Sequence, residues 1–159
     1  NEKENKQMTQ TQMNKISDAD FLTAYRERFA LPKGNYMRSK DDVILHLNGV
    51  FNNIREREQF IAIYLNGRNQ AIKSEVLFTG SLTTSAVYPR EVAIKCLENN
   101  AAAVVFAHNH PSGNTNPSQD DLTITKKLKE ALRTLDIYVH DHLIITGESC
   151  YSFSDHGLI

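Results

Sequence analysis

The sequence predicts one α/β domain in which helices pack against a mixed β-sheet. The first observation is the predicted order of elements, strand, strand, helix, strand, helix, strand, strand, in which helices alternate with strands. The second is Ala101–Ala107, an apolar run of strand length that is typical of a central strand covered on both faces. The third is size: 159 residues, 40% hydrophobic and 23% charged, suffice for one domain with a buried core.

Residues 1–45 precede this pattern. Residues 1–16 are polar, amide-rich and aperiodic, which predicts a disordered lead-in. Residues 17–45 predict a helical arm with two helix starts, Asp18-Ala-Asp and Ser39-Lys-Asp-Asp, each followed by apolar residues. The arm could equally be a subdomain or a dimer surface, so the sequence leaves homo-oligomerisation open. Residues 46–159 are then predicted to form the domain.

Two strands open the domain. Gln59–Leu65 is an apolar run of strand length, and Asn66-Gly67 signals a turn directly after it. The segment from Ala71 to Leu82 alternates loosely between apolar and polar residues. The two segments are therefore predicted to pair in antiparallel fashion across the intervening loop.

A helix and the central strand come next. Tyr88-Pro89 predicts a helix start, because proline is well accommodated at the first helical position. The central strand then leads into a polar, turn-rich loop that runs from His108 to Pro117. This loop is where the sequence concentrates its chemically active side chains.

The last third of the chain predicts a long helix and two or three strands. The helix is predicted from Ser118 to Leu135, and four leucines are expected along one side of it: Leu122, Leu128, Leu132 and Leu135. The segment from Asp136 to Ile145 predicts one or two strands, and Cys150-Tyr-Ser-Phe predicts a last short strand.

Composition excludes several classes of protein. Lys and Arg number 18 against 19 for Asp and Glu, a formal charge of −1, which excludes a strongly basic protein that coats nucleic acid. Two cysteines without CxxC spacing exclude a disulfide scaffold and a cysteine zinc cluster. No apolar stretch approaches the ~18 residues of a membrane span. We expect a protein of the reducing cytoplasm with no membrane partner.

The pattern H-x-H, seven residues, S-x-x-D favours a metal site. His108 and His110 lie two apart at the end of the predicted central strand, so their side chains should share one face. Ser118 and Asp121 lie three apart in the first turn of the next helix. Asp121 can supply a third ligand, since a catalytic zinc keeps three protein ligands and leaves the fourth position to water.

Each half of the pattern also has a simpler interpretation. Ser118-x-x-Asp121 is close to a capping box, in which the serine satisfies free N–H groups at the start of a helix. The two histidines alone are a weak signal. Because both halves flank one loop, at a strand end and a helix start, their combination favours a metal.

A hydrolytic zinc site also needs a base that is not itself a ligand. Glu58 stands at the start of the first strand, and Glu56, Glu75 and Glu91 are further candidates. Spacing alone does not choose among these four glutamates.

The segment from His108 to Asp121 resembles the JAMM/MPN metalloprotease motif in the form carried by the RadC family. Other segments resemble that family too: Glu58-Gln-Phe, Val87-Tyr-Pro-Arg-Glu, Asp141-His-Leu-Ile and Ser152-Phe-Ser-Asp-His-Gly. The resemblance covers roughly residues 45–159. Because no clear Gly-rich helix-hairpin-helix region is visible before it, the chain resembles the short, stand-alone members.

The resemblance implies a fold, a cofactor and a reaction. The fold would be the three-layer α/β fold similar to cytidine deaminases. One zinc ion per chain would be held by His108, His110 and Asp121, Glu58 would be the general base, and Ser118 would stabilise the oxyanion. In relatives of known activity the reaction is hydrolysis of a peptide or isopeptide bond, so the expected partner is a peptide or protein substrate.

A second polar group lies near the carboxyl end of the chain. His140 and His142 flank Asp141 two apart and could form another metal pair. The favoured interpretation is that Asp141 and His142 orient a metal ligand from behind.

Two other functions compete with hydrolysis. A nucleic-acid-associated protein, in DNA repair or on a mobile element, or a metal-dependent nuclease, has the family's old DNA-repair label in its favour. It also has the basic helix face formed by Lys126-Lys-Leu-Lys and Arg133. A non-catalytic binding module is the other alternative, because many MPN domains have lost the metal, but the intact ligand set argues against it. Deamination is not expected, because the signature H-x-E…P-C-x-x-C is absent from the sequence.

Overall fold

The computed structural model describes residues 17, 19–20, 36–48, 50, 56–80, 87–147 and 149–159. Eight elements follow one another there: α1 (Lys40–Asn48), β1 (Gln59–Leu65), β2 (Ala71–Thr79), α2 (Pro89–Glu98), β3 (Ala103–Asn109), α3 (Gln119–Arg133), β4 (Tyr138–Ile145) and β5 (Cys150–Ser152). The predicted lead-in at 1–16 and most of the first predicted helix lie outside the described residues.

The five strands form one mixed sheet in the order β2-β1-β3-β4-β5. β3 and β4 are parallel and are joined through α3, while the other neighbouring pairs are antiparallel. All seven residues of β3 are buried, which confirms the prediction of a central strand covered on both faces. The segment from Asp136 to Ile145, for which one or two strands were expected, forms the single strand β4.

The sheet separates two apolar cores, so the fold has three layers. Alternate residues of β1 point to opposite faces, as the period of a strand requires. Phe60, Ala62 and Tyr64 pack with residues of α2 and α3, including Val92, Cys96, Ile124, Leu128 and Leu132. Ile61, Ile63 and Leu65 pack on the other face with residues of α1, including Val43 and Leu47. The predicted α/β fold with a mixed sheet between helices is therefore confirmed.

The hairpin of β1 and β2 is antiparallel, as predicted. β2 ends at Thr79, three residues before the end predicted at Leu82, and residues 81–82 lie outside the described part of the chain. Gly80 follows with φ +133°, a conformation that side-chain-bearing residues rarely adopt, so the extended run stops there. At the other end of β2, Asn69 makes the turn with φ +58°.

The buried face of α3 includes two of the four leucines that the sequence predicts there, while Leu122 is only partly buried. Leu128 and Leu132 are fully buried, but Leu135 is 42% exposed because the helix ends at Arg133. The buried face carries two polar residues as well, Asp121 and Thr125, one turn apart. None of the helices in the described part of the chain is long and apolar enough to cross a membrane.

Helix α1 crosses the boundary predicted between residues 45 and 46. The second predicted helix start is confirmed, since the Ser39 hydroxyl accepts from the Asp42 N–H at 3.2 Å at the start of α1. Val43 and Leu47 of this helix, together with Met37, belong to the core on the second face of the sheet. The helix thus supplies the third layer of the domain.

We expect Leu47→Ala to lower the free energy of unfolding by about 2–5 kcal/mol, because it leaves a cavity under α1. Leu47 is fully buried, whereas Leu45 on the same helix is 40% exposed. Leu45→Ala is therefore the matched control, with an expected change below about 0.5 kcal/mol. Urea unfolding followed by circular dichroism measures both. Equal, small effects would contradict the placement of α1 on the sheet.

Candidate metal centre

His108, His110 and Asp121 meet at the carboxyl end of β3. Each offers one ligand atom, and these atoms all lie within 4.8 Å of one another. His108 Nε2 is 2.9 Å from His110 Nε2 and 3.2 Å from Asp121 Oδ1. His110 Nε2 is 3.6 Å from Asp121 Oδ2. The structure therefore brings together the three residues that the spacing predicts as ligands, at the expected strand end and helix start.

The cluster is buried on one side and open on the other. The side chains of His108 and Asp121 are 0% and 2% exposed, while that of His110 is 12% exposed. Among the three ligands, His110 is therefore the one that solvent reaches most easily.

Hydrogen-bond partners assign the imidazole hydrogens of His108. The Thr125 hydroxyl donates to the Asp121 carbonyl at 2.6 Å, so its oxygen accepts from His142 Nδ1 at 2.6 Å. His142 Nε2 then carries a lone pair and accepts a hydrogen bond from His108 Nδ1–H at 2.8 Å. His108 Nε2 must in turn present a lone pair to the cluster.

A single hydrogen bond orients the His110 ring and also leaves its Nε2 as the lone-pair nitrogen. Its Nδ1 donates to the Asn114 carbonyl at 2.6 Å, and a carbonyl can only accept. His110 Nε2 is therefore the lone-pair nitrogen. It points at the same place as His108 Nε2.

The donor set fits a divalent metal. Two imidazole lone pairs 2.9 Å apart repel each other unless a cation lies against them, and the carboxylate adds negative charge. The Asp121 carboxylate raises the pKa of His110, because its negative charge favours a proton on the facing imidazole nitrogen, so positive charge at this nitrogen is stabilised. Two nitrogens and one carboxylate oxygen match the ligands of catalytic zinc.

Asp121 is held as an anion. Burial raises the pKa of this carboxyl, but the neighbouring His108 and His110 rings, when they carry a proton, and the hydrogen bond from Ser118 outweigh burial and keep the pKa well below its usual range. The opposite holds for His142, because complete burial, followed by the neighbouring His108, lowers its pKa well below the usual value. The cluster thus combines an ionised carboxylate with a neutral supporting imidazole.

Ser118 forms the capping box that was the simpler interpretation of the S-x-x-D pattern. Its hydroxyl accepts from the Asp121 N–H at 3.1 Å and donates to Asp121 Oδ2 at 2.7 Å, and its own N–H donates to the same oxygen at 2.7 Å. The two interpretations are compatible, because the cap fixes the rotamer that turns Asp121 towards the histidines.

Glu58 lies directly before β1, on the histidine side of the sheet. The antiparallel register pairs Phe60 with His108, and Glu58 lies two residues before Phe60 in the chain. The charge of Glu58 contributes to the raised pKa of His110. Glu58 also lines a cavity of about 460 Å³ whose walls include Thr79, Gly80, Pro111 and Ser112.

The other candidate bases lie in different surroundings. Glu75 is on β2, where it accepts from the Tyr64 hydroxyl at 2.7 Å and from Lys73 Nζ at 2.6 Å. Glu91 is on α2 and pairs with Arg90 at 2.9 Å. Glu56 is exposed and shares the cavity with Glu58. Glu58 thus differs from Glu75 and Glu91 in lying directly before β1, beside the cavity that Pro111 and Ser112 also line.

His142 lies behind His108, whereas the Asp141 carboxylate accepts hydrogen bonds from backbone N–H groups. Asp141 Oδ1 accepts from the N–H groups of His142 and Ser154, and Asp141 Oδ2 accepts from the Ser152 hydroxyl at 2.6 Å. Asp141 therefore ties β4 to the turn after β5. Asp141 affects the ligand His108 indirectly, because it helps to position His142.

His140 is separated from His142 by an irregularity in β4. The register pairs Val104 with Val139 but Val105 with Asp141, so His140 is an extra residue in the strand. His140 Nε2 lies 2.9 Å from Asn69 Oδ1, while His142 is fully buried beside His108. The expectation that two-residue spacing puts both histidines on one face is wrong here, because the bulge breaks the alternation.

Two residues of the site, Thr125 and Asn109, are not predicted from the sequence. Thr125 connects His142 to the Asp121 carbonyl, and its signal is a helical spacing of four from Asp121. Asn109 is fully buried between the two histidine positions and bonds to the backbone at Arg57 and Gln59. Its signal is a polar residue inside an otherwise apolar, buried strand.

The fold and the cluster define a three-layer α/β domain with a candidate mononuclear metal centre. The family model described as the RadC-like JAB domain matches residues 32–158. The chain therefore belongs to the RadC-like JAB domain family, which confirms the resemblance seen in the sequence.

Several bacterial relatives share the domain. The chain is 56% identical over 104 residues to the UPF0758 protein YfjY of Escherichia coli (strain K12), 65% of each chain. It is 48% identical over 121 residues to YeeS of the same strain, 76% of this chain and 78% of YeeS. A Pseudoalteromonas translucida relative is 54% identical over 104 residues, only 46% of its length. The chain thus spans between about half and three quarters of these relatives.

We expect Thr125→Val to lower the free energy of unfolding of the metal-free protein by about 1–3 kcal/mol, because the buried His142 Nδ1–H loses its acceptor. Thr123→Val is the matched control, since Thr123 also donates to the carbonyl four residues earlier, at 2.8 Å, but on an exposed part of α3. Its expected effect is below about 0.5 kcal/mol. Urea unfolding compares the two, and equal effects would contradict the link between Thr125 and His142.

Proposed function

We propose that the protein is a zinc-dependent hydrolase of the JAMM type that cleaves a peptide or isopeptide bond. One observation carries the proposal. The Nε2 lone pairs of His108 and His110 converge with the Asp121 carboxylate at the end of β3, where the three ligand atoms lie within 4.8 Å of one another. Supporting this, the chain belongs to the RadC-like JAB domain family, and the segment from His108 to Asp121 resembles the JAMM motif.

His108, His110 and Asp121 would hold one zinc ion per chain. When bound, zinc supplies a Lewis acid that polarises an amide carbonyl and lowers the pKa of water towards ~7. Two imidazoles and one carboxylate leave room for exchangeable ligands, as catalytic zinc sites require. The buried His142 would keep the His108 ring in the orientation that presents Nε2.

Glu58 would act as general base and then as general acid. Its carboxylate accepts a proton from the attacking water as the new C–O bond forms at the scissile carbonyl. It then delivers that proton to the leaving amine nitrogen as the C–N bond breaks. The Ser118 hydroxyl would turn from Asp121 towards the developing oxyanion and stabilise it by donation.

The surroundings of the site support a peptide or protein substrate. The cavity beside Glu58 is lined by Thr79, Gly80, Pro111 and Ser112 as well, so it offers space for a substrate next to the proposed base. Cys96 and Cys150 are free thiols, which supports a reducing, cytoplasmic setting.

The nucleic-acid alternative has weaker support. On the helix face that carries Lys126, Lys127 and Arg133, Lys126 lies 4.0 Å from Glu130, which interrupts the positive patch.

We expect one zinc ion per wild-type chain and a weaker affinity in Asp121→Asn, because the variant loses the anionic ligand. Zinc at about 100 times the dissociation constant should stabilise the wild-type protein by about 2.7 kcal/mol. Asp120→Asn removes a neighbouring charge outside the cluster and should keep both properties. Elemental mass spectrometry and urea unfolding measure them. A wild-type protein that takes up no zinc would contradict the proposal.

We expect Glu58→Gln to retain zinc and to lose about 10²–10⁴-fold in hydrolysis rate, because the amide accepts no proton from water. The substrates are a library of internally quenched peptides and a matching set of lysine-isopeptide-linked peptides. Glu91→Gln, on α2, is the control and should keep the wild-type rate. Full activity in Glu58→Gln would exclude Glu58 as the base. No cleavage by zinc-loaded wild-type protein would contradict peptide hydrolysis.

A further inference from the structure

Asn109 bonds to the segment that carries Glu58. Its side chain is fully buried at the end of β3, between His108 and His110. Asn109 Oδ1 accepts from the Gln59 N–H at 2.7 Å, and Asn109 Nδ2 donates to the Arg57 carbonyl at 2.8 Å. One side-chain amide therefore binds the backbone on both sides of Glu58.

The backbone of Glu58 is also held from the opposite edge. Along an extended chain, the polar groups of alternate residues point to opposite neighbours. The Arg57 carbonyl and the Gln59 N–H accordingly face Asn109 on β3, while the Glu58 carbonyl faces β2 and accepts from the Gly80 N–H at 2.9 Å. Three consecutive residues are thus fixed between the two neighbouring strands.

We propose that Asn109 is a positioning residue that sets the Glu58 carboxylate relative to the metal ligands. The inference rests on the proposed hydrolytic function. Because Asn109 stands between His108 and His110 in the chain, the same short stretch of β3 places both ligands and the base. A misplacement of about 1 Å at a reacting group can cost about 10²-fold in rate, so such a connection matters for catalysis.

The geometry requires an asparagine at this position. The two backbone groups are a donor and an acceptor, and a planar amide offers the complementary pair. A leucine of similar size would leave the Arg57 carbonyl and the Gln59 N–H without this partner. A serine could serve one of them at most.

The test compares Asn109→Leu and Asn109→Ser with the wild-type protein, first without metal. Amide hydrogen exchange by NMR should show the Gln59 N–H exchanging about tenfold faster in Asn109→Leu, with Ala62 in the middle of β1 unchanged. Asn66→Leu is the matched control, because Asn66 Oδ1 accepts from the N–H groups of Arg68 and Gln70 at the far end of β1. It should leave exchange at Gln59 unchanged. If Asn109→Leu does not fold, Asn109→Ser replaces it in the same exchange measurement.

The second arm uses zinc-loaded protein and the library peptide that the wild-type protein cleaves fastest. Asn109→Leu should lower kcat by about 10²-fold while zinc affinity and KM stay at wild-type values. In the Glu58→Gln background the same substitution should lower kcat no further, since Asn109 acts through Glu58. Asn66→Leu should keep the wild-type kcat.

Three results would overturn the proposal: unchanged exchange at Gln59, faster exchange with wild-type kcat, or a loss in the double variant that adds to that of Glu58→Gln. A wild-type protein that binds zinc but cleaves no peptide would instead contradict the proposed hydrolytic function. This result does not involve the Asn109 variants, so the two failures are distinguishable. The metal-free exchange then still decides whether Asn109 holds residues 57–59.

Discussion

The metal centre depends on hydrogen bonds that hold two imidazole hydrogens away from it. The Asn114 carbonyl takes the Nδ1 hydrogen of His110, and the series His142, Thr125 and the Asp121 carbonyl takes that of His108. Both Nε2 atoms are left as lone pairs beside an ionised carboxylate. A site of this kind is unfavourable without a cation, and the polar groups behind it are costly to bury unless each has a partner.

The sheet order explains how one short strand organises the whole site. β3 and the residue that follows it supply the two histidines. The neighbouring strands supply further groups of the site: Glu58 precedes β1 on one side, and His142 lies on β4 on the other. Helix α3, which connects β3 to β4, brings Asp121 and Thr125 onto the same face. The connection from β3 to β4 therefore carries the ligand Asp121 and also Thr125, which supports the ligand His108 through His142.

Much of this arrangement can be predicted from the sequence, because it depends on local patterns. The apolar runs predict β1 and β3, and the strand period predicts that His108 and His110 share a face. The contacts of Thr125 and Asn109 cannot be predicted in this way, since each joins residues far apart in the chain through a particular register. His140 shows the limit of periodicity: one inserted residue in β4 reverses the face on which its side chain lies. Leu135 shows another, because a leucine at helical spacing is exposed once the helix has ended.

The central claim is that two imidazole nitrogens and one carboxylate of this chain bind a single zinc ion. X-ray absorption at the zinc edge, on protein purified without added metal, tests it most directly. We expect nitrogen and oxygen neighbours at about 2.0–2.1 Å, the outer-shell scattering of imidazole rings and no sulfur. A sulfur neighbour at about 2.3 Å, or no bound zinc even after zinc is supplied, would contradict it.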